Sequence, residues 1–167
     1  KLLMIVLALP VLTTGQPNDW SWQNPAPVGE DVNDLQAVSR TVAYAAADDG
    51  RLLKTTDGGN NWTVQATPVN QDLSSLTFTD VSNGWVVGQS GIILTTADGG
   101  ASWSRQFSSS SGDLYSVYFS DTANGWITGQ GGTLLKTTDG GSNWIEQSTN
   151  TFQDLNAVYF PNKQQGW

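Results

Sequence analysis

At 167 residues the chain is long enough for one ordinary domain with a sizeable core. Seven Lys and Arg stand against fifteen Asp and Glu, a formal charge of −8, which argues against nucleic acid, where cations must neutralise phosphates, and against an anionic membrane surface. With no Cys and no His, disulfides, Cys- or His-built zinc sites and Ser-His-Asp or Cys-His catalysis are excluded; a carboxylate calcium site stays open in principle, but no EF-hand loop appears, and neither metal nor cofactor is expected.

The chain opens on Lys1 and an apolar run, Leu2 to Leu12, followed by the small residues Thr13, Thr14 and Gly15. The run is too short to span a bilayer, which needs roughly 20 residues, and has the layout of an export signal. Residues 1–15 are therefore expected to be a signal peptide. The mature protein is expected outside the cytoplasm (periplasmic, on the cell surface or secreted), with no membrane insertion once the signal is removed. Trp20-Ser21-Trp22-Gln23 resembles Trp103-Ser104-Arg105-Gln106 further on and reads as a fourth strand without the three that should precede it. In a closed ring such a strand can complete the last blade and leave no open edge.

From here the chain repeats. TTDGGNNW ends at Trp62, TADGGASW at Trp103 and TTDGGSNW at Trp144, so that Asp57, Asp98 and Asp139 are spaced by 41 residues. Leu73, Leu114 and Leu155 keep the same spacing, as do Phe78, Phe119 and Phe160, and the pairs Gly84-Trp85, Gly125-Trp126 and Gly166-Trp167. A fixed period near 40 residues signals an array or propeller. Within a period, 73–78 and 114–119 alternate as half-buried strands do. Second strands are expected over 85–88 and 126–129, third strands over 92–96 and 133–138, and fourth strands from Trp103 and Trp144. The predicted fold is all-β: a propeller of four-stranded antiparallel blades. The repeats run over about 35–72, 73–113, 114–154 and an incomplete 155–167. The first is degenerate, with Tyr44 where later copies have Trp. Residues 16–167 then make about three and a half blades, and the stretch is expected to be part of a longer chain.

Each eight-residue motif closes a hairpin. An Asp opening a turn accepts from the backbone N–H groups that follow, glycine adopts dihedrals a Cβ hinders, and tryptophan buries a large ring beside the turn. Asp57, Gly59, Trp62, Asp98, Gly100, Trp103, Asp139, Gly141 and Trp144 are thus assigned a structural role, because three identical Asp residues on three blades cannot share one active site. Trp85, Trp126 and Trp167 are assigned to packing between blades, and Asp72, Asp113 and Asp154 to turns. No catalytic residue is assigned. Function belongs with residues that do not repeat, on loops sharing one face. The candidate ligand-binding residues are Asp48, Asp49, Gln89, Ser90, Phe107, Gln130 and Phe152.

The motif [ST]-x-D-x-G-x-[STN]-W resembles the Asp box, or BNR repeat, of sialidases. The larger unit LxxVxFxDxxxGWxxGxxGxxLxTxDGGxxW resembles the photosystem II stability and assembly factor family and its exported bacterial relatives over roughly residues 34–167. That resemblance implies a ring of seven blades and a binding or assembly role. The polar loop face is expected to hold a protein or glycan partner, and the full-length protein is expected to be monomeric. It also implies an arginine patch for the client; here Arg40, Arg51 and Arg105 fall at no common blade position. The leading expectation is an exported, non-catalytic binding module. The alternative is a sialidase-like or xyloglucanase-like glycoside hydrolase, with Glu30, Asp31, Asp48, Asp49 and Glu146 as its acids, although the Arg-Ile-Pro signature of sialidases is missing. A surface-displayed structural array is a third reading.

Overall fold

The computed structural model describes residues 31–160, 165 and 166; the expected signal peptide, the fourth strand expected over 20–23, Glu30 and Trp167 lie outside them. Twelve strands form three four-stranded antiparallel sheets, each with its strands in chain order. The first blade comprises β1 (Val32–Ala37), β2 (Ala43–Ala47), β3 (Leu52–Thr55) and β4 (Thr63–Gln65). The second comprises β5 (Leu73–Phe78), β6 (Gly84–Gly88), β7 (Ile93–Thr96) and β8 (Ser104–Gln106). The third comprises β9 (Leu114–Phe119), β10 (Gly125–Gly129), β11 (Leu134–Thr137) and β12 (Ile145–Glu146). The expected propeller blades are present, including a complete blade from the degenerate first copy. Leu155–Phe160 carries no regular strand, although the Leu155 N–H donates to Gly129 O at 3.0 Å, as the start of a next blade would. Among the described residues no helix is long and apolar enough to cross a membrane.

The core lies between blades. One apolar layer joins Tyr44, Ala46 and Leu52 of the first blade to Leu73, Leu76, Phe78, Ile92, Leu94 and Trp103 of the second. The next joins Trp85, Val87 and Ile93 to Leu114, Val117, Phe119, Ile127, Leu135 and Trp144. A second strand is therefore covered on both faces: β2, β6 and β10 are buried at all five positions. That is why their sequences run as AYAAA, GWVVG and GWITG rather than alternating.

One aromatic triad recurs at the first two boundaries, and its stacked pair at the third. Trp85 of β6 stacks on Phe119 of the next blade at 3.7 Å between centroids, and Trp144 meets that Phe edge-on at 5.8 Å. Tyr44, Phe78 and Trp103 repeat the arrangement at 4.0 and 6.0 Å, and Trp126 stacks on Phe160 at 4.0 Å. Both stacked and edge-on contacts suit the aromatic quadrupole. The indole of Trp85 also donates to Gly140 O at 3.1 Å. Tyr44 delivers its hydroxyl to the matching Gly99 O at 2.6 Å, so phenol replaces indole without loss of the bond. Where Phe78 and Phe119 have their equivalent in the first blade, Ala37 stands instead, and Trp62 is only half-buried.

The Phe ring also explains the Gly of each Gly-Trp pair. A Cβ on Gly84 would lie 2.5 Å from the Phe78 ring, and one on Gly125 would strike the Phe119 ring in the same way. Gly84→Ala and Gly125→Ala are expected to destabilise the protein by about 1–3 kcal/mol each, the usual cost of overpacking a core. Denaturant unfolding measures this; wild-type midpoints for both would contradict the packing role.

Candidate functional site

The two ends of the blades differ in chemistry. The loops joining β1 to β2 and β3 to β4, with their equivalents, make a lower face; the β2–β3 turns and the loops that pass from one blade to the next make an upper face. On the lower face each Asp box is centred on a buried threonine. Thr55 Oγ1 donates to Asp57 Oδ1 at 2.9 Å and accepts from the Gly59 N–H at 2.9 Å. Asp57 in turn accepts from the Asn61 N–H and Nδ2 at 2.9 and 2.7 Å. Thr96, Asp98, Gly100 and Ser102 repeat this set, as do Thr137, Asp139, Gly141 and Asn143. The two glycines of each box sit at φ between 67° and 91°, a region where a Cβ is disfavoured. The sequence pattern contains the threonine, but its part as the hub of the turn is visible only in the structure.

These bonds favour the ionised carboxyl. Asp57 and Asp139 are held below the ordinary carboxylate range, first by the side chains of Asn61 and Asn143 and then by their backbone N–H groups. Asp98 is lowered to about 2, first by the Ser102 hydroxyl. The box tryptophans differ between boundaries. Trp144 Nε1 donates to Gln106 Oε1 at 3.3 Å, while Gln106 Nε2 donates to Gly140 O at 2.9 Å. At the preceding boundary Lys54 Nζ takes Gly99 O at 2.7 Å, Gln65 turns back to Thr63, and Trp103 Nε1 is left without a partner among the described residues.

The upper face gathers all seven candidate ligand-binding residues, in the turns and loops foreseen, but many of their polar groups hold blades together. Asp72 accepts from the Asp49 N–H at 3.0 Å across the first boundary. Asp113 accepts from the Ser90 N–H at 3.0 Å across the second, and Asp154 from the Gly131 N–H at 2.9 Å across the third. Asp49 and Ser90 reach these partners from left-handed backbone, φ 56° in each. The recurring Asp72, Asp113 and Asp154 therefore clip neighbouring blades rather than serving only their own turns. Gln89 Nε2 donates to Asp72 Oδ2 at 2.8 Å, the Gln130 N–H to Asp113 O at 2.8 Å, and Asp48 Oδ1 accepts from Asn33 at 2.8 Å.

Phe107 and Phe152 stand apart. They are 73% and 92% exposed, and their equivalents in the neighbouring blades are Ala66 and Ser148, and Asn70 and Ser111. The Arg105 guanidinium lies 5.2 Å from the Phe107 ring, a cation–π contact. The sequence reading passed over Tyr115, whose hydroxyl points at Asp154 Oδ2 from 3.5 Å. Desolvation, then Asp154 and Asp113, push its phenol upward. The available signal was a break in the repeat: Asn33, Ser74 and Tyr115 share one strand position. Among the described residues no group of three or more metal-ligating side chains exists.

Residues 14–110 match the family model of photosynthesis system II assembly factor YCF48. A solved structure of YCF48 bound to D1 peptide superposes with a TM-score of 0.71 at 23% identity, over 81% of this chain and 46% of that one. YCF48 from Cyanidioschyzon merolae gives 0.67 at 26%, over 76% and 40%. An ancestral GH74 enzyme gives 0.63 at 20%, over 74% and 19%. The chain thus spans less than half the length of either YCF48 chain. No curated protein matches the chain by sequence.

The lowered box carboxyls fix a pH dependence. A carboxyl depressed in the folded state stabilises it fully above the unfolded value of 3.8 and ceases to do so as pH falls through its folded value, about 2 for Asp98. The melting temperature is expected to drop between about pH 4 and pH 2, and Asp98→Asn is expected to flatten that drop. A melting temperature independent of pH across this window would contradict the role given to the boxes.

Proposed function

Because the chain belongs to the photosynthesis system II assembly factor YCF48 family, we propose that it is an exported, non-catalytic module that holds a polypeptide segment of a partner on its upper face. The observation that carries this reading is the division of labour in the repeat. Recurring carboxylates, hydroxyls and indoles bind the scaffold to itself, whereas the exposed, non-recurring groups on the upper face include two phenylalanines. Exposed aromatic side chains supply contact area without reactive chemistry. A similar protein, YCF48, is seen bound to a D1 peptide, which supports a protein partner. The apolar run Leu2–Leu12 behind Lys1 supports export.

A second reading, glycoside hydrolysis, draws on the likeness in fold to GH74 enzymes. It requires two carboxyls about 5–9.5 Å apart across a sugar-binding cleft, and fold alone carries no chemistry.

A photo-crosslinking phenylalanine analogue at position 152 or 107 of the full chain, expressed in its own cells, is expected to trap one polypeptide. The same analogue at Val81, on the lower face, is expected to trap none. N-terminal sequencing of the exported protein is expected to begin after residue 15. Crosslinks from both faces alike, or turnover of xyloglucan by the purified protein, would overturn the reading.

A further inference from the structure

The first two blade boundaries are built from equivalent parts but end in different hydrogen bonds. At the second, Gly140 O accepts from the Trp85 indole and from Gln106 Nε2, while Gln106 Oε1 accepts from the Trp144 indole. The Gln106 carboxamide thus fills a slot against the Asp box, where a Cβ on Gly141 would strike it. At the first boundary Gly99 O accepts from the Tyr44 hydroxyl and the Lys54 ammonium instead. Gln65, the equivalent of Gln106, turns its amide back to Thr63 Oγ1 at 2.9 Å. A Cβ on Gly100, the equivalent of Gly141, would therefore meet no amide; its nearest neighbours are Tyr44 Cε1 at 3.1 Å and Trp103 Nε1 at 3.5 Å. Trp103 is 7% exposed, and its indole N–H has no partner among the described residues. Both walls of this slot, with Tyr44, Lys54 and Gln65 on one side and residues 99–103 on the other, lie within the described residues.

We propose that the slot at the first boundary binds a small carboxylate anion, the head group of a short organic acid. The slot filled by Gln106 offers one donor and one acceptor, which a carboxamide matches. At the first boundary the acceptor is spent, because Tyr44 and Lys54 occupy both lone pairs of Gly99 O. Only donors face the slot, so an acceptor-only group fits and a carboxamide does not. Those donors are an indole N–H and an ammonium, and Lys54 pairs with no carboxylate among the described residues. A carboxylate places one oxygen on each, in charge-assisted bonds stronger than neutral ones. The carboxylate of the adjoining box does not compete, since Asp98 is engaged by Thr96 and Ser102. A buried donor left unmet is costly, so satisfying the Trp103 N–H gives even a small ligand affinity. The site lies beside the Asp box on the lower face and is independent of the polypeptide proposed for the upper one.

The test reads the Trp103 indole N–H of the full chain by NMR, assigned through Trp103→Phe, as sodium formate or acetate replaces sodium chloride at constant ionic strength. The Trp103 signal is expected to move saturably, with half-saturation at about 1 mM or above, the limit for so small a ligand. The Trp144 signal, whose N–H is held by Gln106, is expected to stay in place. Formamide, neutral and in need of an acceptor, is expected to move neither. Lys54→Met, which keeps a stem over Tyr44 and removes the charge, is expected to weaken formate binding about tenfold or more. Gln65→Glu supplies a carboxylate from the protein itself, and is expected to raise the melting temperature and abolish the response to formate. Melting curves confirm that each variant is folded. A Trp103 signal that ignores formate and acetate, equal movement of the Trp144 signal, an equal response to formamide, or unchanged binding by Lys54→Met would overturn the inference. So would a Gln65→Ala variant that shifts the Trp103 signal without added acid as far as formate does, since Gln65 would then fill the slot itself. A response to a glutamate-containing peptide but to neither formate nor acetate would assign the carboxylate to a polypeptide and overturn the small acid.

Discussion

The ring of Phe119 lies between two tryptophans, flat against Trp85 of the preceding blade at 3.7 Å and edge-on to Trp144 of its own at 5.8 Å. Trp85 then donates its indole N–H to Gly140 O, in the box that Trp144 closes. One residue thus reaches both the first strand of the neighbouring blade and its Asp box. Without disulfides, contacts of this kind must set the angle between blades and hold it, because each blade alone is a sheet only four strands wide with two apolar faces to cover.

The construction tolerates a change of residue so long as the two contacts survive. Tyr44 is smaller than tryptophan, yet stacks on Phe78 at 4.0 Å and places its hydroxyl 2.6 Å from Gly99 O. Lys54 adds a second donor to that carbonyl, and the glutamine bridge seen at the next boundary is absent there. The orphaned Trp103 indole N–H follows from that exchange. Around this frame the Asp boxes lock the lower turns and the Asp72, Asp113 and Asp154 clips lock the upper ones, so the upper face is rigid where it is polar. A rigid face loses little entropy when a partner docks, which suits the proposed binding role.

Much of this was legible in the sequence for a simple reason: residues 41 apart occupy the same place in successive blades. Alternation over 73–78 and 114–119 placed β5 and β9 at their observed bounds, and the boxes located every β3–β4 hairpin. The period is silent about partners, because partners lie one blade on and at other separations. Trp85 meets Phe119, 119 − 85 = 34 residues away, and Gly140, 140 − 85 = 55 residues away. Likewise, Asp113 reads as a local turn residue until the Ser90 N–H is found on it, 23 positions upstream. The upper-face candidates were placed on the right loops by strand count alone. Only coordinates separate Gln89, whose amide is engaged, from Phe152, whose ring is not buried.

Blade order rests on the stacked pair at each boundary. A double-mutant cycle on Trp85 and Phe119, each truncated to leucine singly and together and followed by denaturant unfolding, measures that dependence. Residues in direct contact within one network couple by about 0.5–3 kcal/mol, and the pair is predicted to fall inside that range. Effects that add to within about 0.3 kcal/mol would mean that the rings merely fill space, and that the angle between blades is set elsewhere.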